Sequence, residues 1–180
     1  MKSRPKFLLH VCCGPCSVAI FEELQYIFDL TVHFYNPNIH PETEYEKRKI
    51  EVIKLCEELG INFVEEKYDP ENWFLKTEKY INEPEGGKRC PICFKMRLEN
   101  AVKYARENNF DWFGTSLTSG RNKFADVINP IGIELGKKYC VNFFEEDWKK
   151  KGRQELATQL VKEKGVYRQD YCGCIYSVGR

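Results

Sequence analysis

Short apolar runs alternate with stretches of helical periodicity along almost the whole chain, and this alternation most narrows the folds open to it. Phe7–Cys12 reads as a buried strand, followed by a tight turn at Cys13–Cys16. Ser17 is placed to cap a helix whose apolar positions Ile20, Phe21, Leu24, Ile27 and Phe28 recur at helical spacing. Leu30–Tyr35 is a second strand, closed by the loop Asn36-Pro37-Asn38-Ile39-His40-Pro41. A charged amphipathic helix then runs from Glu42 to Leu59, with Val52, Ile53, Cys56 and Leu59 as its inner stripe and Gly60 as its stop. The charges between Glu42 and Glu66 read as a solvated face. Ile61–Glu65 is a third strand, Pro70–Ile81 a short helix, Glu83–Gly87 a loop and Pro91–Asn108 a long helix. Trp112–Thr115 is a fourth strand, and Gly120–Lys123 a polar turn. Asn129-Pro130 opens a further helix, with proline in its first turn, before a fifth strand at Cys140–Phe144 and a last helix at Arg153–Lys164. Repeated strand–helix units predict a single doubly wound α/β domain over residues 1–180. Its five-stranded sheet is mostly parallel, with helices on both faces, in the Rossmann-like and HUP-like manner.

The chain has 180 residues, 42% of them hydrophobic, enough for a substantial core. Its 28 basic and 27 acidic side chains leave a formal charge of +1, so no global field draws it to polyanions. Only Phe7-Leu8-Leu9 follows the basic start before His10 interrupts, shorter than the apolar centre of a signal peptide. No run is long enough for a membrane span. The expectation is a cytoplasmic protein with reduced thiols, where clustered cysteines point to metal or redox chemistry rather than structural disulfides.

Seven of the nine cysteines form three tight groups: Cys12, Cys13 and Cys16; Cys90 and Cys93; Cys172 and Cys174. The first lies between the first strand and first helix, at the carboxyl edge where doubly wound folds bind ligands. Backbone N–H groups and the helix dipole favour anionic sulfur there. Cys90 and Cys93 sit one turn apart at a helix start, a spacing that chelates one metal or two corners of a cluster. Cys56 and Cys140 read instead as small buried apolar residues. Cys12, Cys13, Cys90 and Cys93 make a complete thiolate set for a 4Fe-4S cluster. A zinc site is the alternative, and thiols to spare at a catalytic edge favour iron–sulfur. A disulfide between Cys172 and Cys174 closes a very small ring around flexible Gly173 and is readily reduced, which suits a redox-active pair.

The segments Leu9-His10-Val11-Cys12-Cys13-Gly14-Pro15-Cys16, Tyr35–Ile39, Glu44-Tyr45-Glu46-Lys47-Arg48, Arg89-Cys90-Pro91-Ile92-Cys93-Phe94 and Tyr167–Cys174 together resemble the cobalamin-independent epoxyqueuosine reductases. One departure is Gly14, where many members carry alanine. The resemblance implies an iron–sulfur enzyme that reductively removes the epoxide oxygen from epoxyqueuosine at the tRNA wobble position. It implies that Cys12, Cys13, Cys90 and Cys93 hold the cluster and that Cys172 and Cys174 form the redox-active pair. It also implies an additional iron near the cluster, without assigning its ligands; Cys16 is a spare thiol nearby. The partners expected are the substrate tRNA and an unidentified electron donor.

Tyr171, Asp170, Asp126 and His10 are candidate proton donors, and His10 doubles as a hydrogen-bonded core histidine; His33 and His40 read as structural. Lys149-Lys150-Lys151 and Arg153, beside Trp148, form a basic run to which Arg121 and Lys123 add. On its own it reads as solvated surface, because Glu145-Glu146-Asp147 precede it; the resemblance turns it towards tRNA. ATP use is not expected, because Cys-Cys-Gly-Pro-Cys-Ser has one glycine and a rigid proline where a phosphate loop needs several glycines. The rival from another class is a zinc-stabilised, non-catalytic RNA-binding module.

Overall fold

The computed structural model describes residues 3–178. Strands β1 (Lys6–His10), β2 (Asp29–Phe34), β3 (Asn62–Glu65), β4 (Trp112–Thr115) and β5 (Asn142–Phe143) form one sheet in the order β3-β2-β1-β4-β5. Every pairing is parallel. The helices are α1 (Val18–Leu24), α2 (Glu42–Leu59), α3 (Pro70–Thr77), α4 (Arg89–Glu107), α5 (Ala125–Tyr139) and α6 (Arg153–Glu163).

The period-two alternation of β1 divides the core. Phe7, Leu9 and Val11 point to the layer built by α1, α2 and α6, whereas Leu8 packs with Leu98, Val102, Phe113 and Leu135 of the α4–α5 layer. Both faces of the sheet are covered, which is why Phe7-Leu8-Leu9 of β1 is a continuous apolar run, while Thr31 and His33 are buried polar residues within β2. The chain steps outward from β1 to β2 and β3, then crosses over to β4 on the other side of β1, so the strand order reverses between β1 and β4. The crevice at the carboxyl ends of those strands is the ligand position of such sheets.

Several local expectations shift. Ser17 makes no cap bond to its helix; its Oγ donates to the carbonyls of Cys13 (2.8 Å) and Gly14 (3.1 Å), bracing the cysteine turn instead. Helix α1 stops at Leu24, and the following turn buries Phe28 against Phe7 while leaving Ile27 half-exposed. Pro130 lies inside α5 rather than opening it, because Phe124 is extended and the helix starts at Ala125. The proline forfeits only the bond to the exposed Asp126 carbonyl one turn back. Cys140 is exposed in the left-handed position that ends α5 (φ 55°), not buried in β5, which is only two residues long. Cys56 is buried as expected, and burial pushes its thiol up to about 12. Among the described residues no helix is long and apolar enough to cross a membrane.

Candidate metal centre

The chain leaves the sheet after Val11, whose N–H bonds the His33 carbonyl at 3.0 Å, and turns sharply before α1. That turn gathers Cys12, Cys13 and Cys16 so that their sulfurs lie within 4.8 Å of one another. The Cys12 and Cys13 sulfurs are 3.8 Å apart. Hydrogen bonds from Cys13 and then Cys16 hold the Cys12 thiol well below its ordinary range, with the charges of Arg97 and Lys123 acting the same way. Cys13 is pushed up by its bonds to Cys12 and Cys16, and Cys16 to about 11 by its bond to Cys12. Gly14 lies beneath this turn, where a Cβ would meet Val166 Cγ1 at 2.8 Å; glycine lets the C-terminal segment lie close.

A small cleft is lined by Cys90, Cys93, Cys172, Cys174, Arg97 and Lys123. Cys90 and Cys93 come from the first turn of α4, and the Cys90 sulfur accepts from the Gly86 N–H at 3.2 Å. Burial raises both thiols, while Arg97 opposes the rise at Cys93. Cys172 and Cys174 line the same cleft, flanking Gly173 at φ 102°. Burial pushes Cys174 up to about 11. All nine thiols are free in this structure.

Sequence reasoning missed the cations between these groups. Arg97 is 1% exposed and follows Cys93 by four residues, on the same face of α4. Its Nη2 donates to Asn36 Oδ1 at 2.7 Å, and Asn36 Nδ2 donates to the Val11 carbonyl at 2.9 Å; the Arg97 Nε has no partner. Burial works against its charge, yet Cys93, Cys12 and Cys172 together raise its pKa. Lys123 behaves likewise: burial opposes the ammonium, and Cys172, Cys12 and Cys16 more than offset it. Neither cation has a carboxylate partner within 4.0 Å among the described residues. Two buried, uncompensated positive charges at a thiol cluster are costly unless anions fill the space between them. The donor set therefore fits an anionic iron–sulfur cluster with thiolate ligands. The helical spacing from Cys93 to Arg97 was the one available clue.

The basic run does not form a free patch. Lys149 Nζ donates to the Lys123 carbonyl (2.6 Å), Lys150 and Lys151 pair with Asp147 and Glu146, and Arg153 pairs with Glu23 and Glu146. Trp148 is buried, its indole donating to the Thr115 carbonyl at 3.0 Å, with Arg153 4.6 Å above the ring. Four candidate proton donors fall outside the cleft wall. His10 is pinned between Thr115 Oγ1 (3.0 Å) and the Tyr35 carbonyl (3.2 Å), and burial holds it neutral. Tyr171 donates its hydroxyl to the His40 carbonyl, while Asp126 and Asp170 face solvent. The solvated-face reading of α2 is also wrong at two positions: Glu44 and Arg48 are buried.

A family model described as "Epoxyqueuosine reductase QueH" matches residues 7–180. A relative of that description from Acinetobacter baylyi is 43% identical over 175 residues, covering 96% of this chain and 80% of its own. One from Thermotoga maritima is 36% identical over 174 residues, covering 95% and 89%. Among solved structures, the U34-tRNA thiolase NcsA from Methanococcus maripaludis, with its 4Fe-4S cluster, superposes with a TM-score of 0.63 at 17% identity. That match covers 95% of this chain and 61% of the thiolase, and it is a likeness of fold.

Proposed function

The chain belongs to the epoxyqueuosine reductase QueH family, and from that premise we propose how its thiols divide the reaction. The enzyme is an oxidoreductase of queuosine biosynthesis. Its reaction takes the epoxide oxygen out as water, using two electrons and two protons to leave an alkene. Its substrate is the epoxyqueuosine of a tRNA. Cys12, Cys13, Cys90 and Cys93 hold a 4Fe-4S cluster in this reading, and Cys16 stands next to it as a spare ligand. When bound, the cluster supplies one-electron transfer, and an accessible iron, the additional one included, supplies a Lewis acid for oxygen.

The chain's own residues do the rest. Arg97 and Lys123 neutralise the thiolates and keep water from that role. Lys123 keeps its proton at Nζ on the cleft wall and donates a hydrogen bond to the oxygen as charge develops there. Cys172 and Cys174 line the cleft as a dithiol. Joining their sulfurs releases the two electrons and two protons that opening the epoxide consumes. An external dithiol or a low-potential one-electron carrier then restores the pair. The zinc-stabilised binding module has no use for such a dithiol and is set aside.

What supports this reading is that buried Arg97 and Lys123, neither with a carboxylate partner among the described residues, line a cleft with Cys90, Cys93, Cys172 and Cys174 and also act on Cys12 of the Cys12/Cys13/Cys16 turn. Anaerobic purification with iron, sulfide and zinc analysis tests it, followed by turnover on epoxyqueuosine-containing tRNA. The expected protein is brown, with about four irons per chain or more. Cys172→Ser keeps that iron and loses turnover. A colourless protein with one zinc, or iron lost together with activity in Cys172→Ser, would overturn the assignment.

A further inference from the structure

The Glu44–Arg48 motif has a buried arginine that the reaction as described does not use. Arg48 lies in the middle of α2, is 1% exposed, and donates from Nε to Glu44 Oε1 at 2.7 Å. The rest of its fork leaves the helix. Nη1 donates to the Cys172 carbonyl and Nη2 to the Tyr171 carbonyl, each at 3.1 Å. The next carbonyl, of Gly173, accepts from the His40 N–H at 2.8 Å. Three consecutive carbonyls are thereby held in a stretch without helix or strand, where no ladder would satisfy them.

Fixing the peptide planes on both sides of a residue fixes its Cα–Cβ direction. The Cys172 sulfur is then left with a single torsion to explore. Gly173 completes the seat: at φ 102°, a Cβ would meet Ile39 Cγ1 at 2.9 Å and Arg48 Nη1 at 3.1 Å. Only a planar fork spans two adjacent carbonyls while still pairing with a carboxylate, which a lysine ammonium does not do.

We propose that Arg48 is a positioning residue that sets the Cys172–Gly173–Cys174 turn over the cleft, an inference resting on the reading of that pair as the redox couple. The buried charge has a structural use wherever it sits, so its test needs readouts beyond activity. In anaerobic, iron-loaded protein we would measure iron content, kcat and KM, the alkylation rate of Cys172 by mass spectrometry, and the midpoint potential of the 172/174 pair.

Arg48→Lys is expected to keep iron and KM near wild type and to lower kcat about 100-fold, the scale of a misplacement near 1 Å. Cys172 should alkylate about tenfold faster as the turn opens locally, and the midpoint potential should shift. Glu44→Gln, which keeps the volume and weakens the arginine's anchor, should move all three readouts in the same direction by less, and Tyr167→Phe, which removes the other bond to Glu44, controls for that contact; Glu44→Gln serves if Arg48→Lys fails to fold. Unchanged kcat and alkylation in the folded variants would overturn the proposal, as would iron loss in proportion to activity. Full turnover in Cys172→Ser would overturn the redox reading instead, leaving the alkylation rates to decide whether Arg48 sets the turn.

Discussion

The wall that carries Cys12, Cys13 and Cys16 and the wall that carries Cys172 and Cys174 both act on the buried Arg97 and Lys123 but are built by different means. The first is an extension of β1, the central strand, whose apolar side chains are fully buried on both faces. Its cysteine turn is braced by main-chain bonds from Ser17 and Val18 to the Gly14 carbonyl, each 3.0 Å. The second has no regular structure until the short turn at Ile175–Ser177 and depends on side chains from elsewhere. Arg48 holds its carbonyls, Tyr167 donates to Glu44 Oε2 at 2.8 Å, and Gln169 Nε2 donates to the Cys13 sulfur at 3.0 Å. A cofactor cage benefits from the rigid wall, since ligation tolerates little displacement. A pair that makes and breaks an S–S bond must change its sulfur–sulfur distance, and a tethered loop can do so without straining a sheet.

The sharpest way to break this contrast is to remove sulfurs from the proposed cluster set and from the C-terminal pair. Cys93→Ser and Cys13→Ser are expected to lose more than half of the iron and essentially all turnover, measured as iron per chain and product per minute. Cys174→Ser should lose turnover with iron retained. If iron tracked all three alike, the two sets would share one role.

Acid should weaken the sheet-borne wall through His33. Burial lowers this residue from 6.5 to about 4; its ring nitrogens have no hydrogen-bond partner, and Glu66 lies 4.0 Å away. The unfolded chain takes up this proton near pH 6.5 and the folded chain only near 4, so stability falls as pH drops through that window. The loss should be on the order of 2 kcal/mol by pH 5. Comparing urea midpoints of wild type and His33→Leu across that range isolates it: the variant's curve should be the flatter one.

The smallest effect lies remote from both walls. Cys140 occupies a left-handed position at the end of α5, where glycine costs nothing. Cys140→Gly should raise the urea midpoint by about 0.5 kcal/mol or less in equivalent stability and leave turnover unchanged. A fall in turnover would bring this thiol into the site.

The layered sheet was legible because it is encoded locally. Strand and helix periods can be read within a few turns of chain, and β1, β2, β4 and α2 fall within about two residues of the expected bounds. The three cysteine groups were legible for the same reason, since their spacings are short. Trp148 was misread for the opposite reason. Beside four basic residues it resembled a surface for stacking bases, yet its indole is seated under β4 by a bond to a carbonyl far away in sequence. Arg48 was misread likewise and Arg97 was passed over, because a charged residue in a charged helix looks solvated until its partners are known.

By itself, then, the order of residues determined that strands alternate with helices, that seven thiols fall in three short spacings, and that the first of them follows the central strand. Those facts depend on interactions between near neighbours, which propensity and periodicity record. Only the tertiary structure decided that Arg97 and Lys123 are buried beside the thiols without a carboxylate partner, and that Arg48 reaches carbonyls more than a hundred residues away. The fate of a charge is set by the dielectric and the dipoles that chain folding brings around it, and no local pattern carries that information.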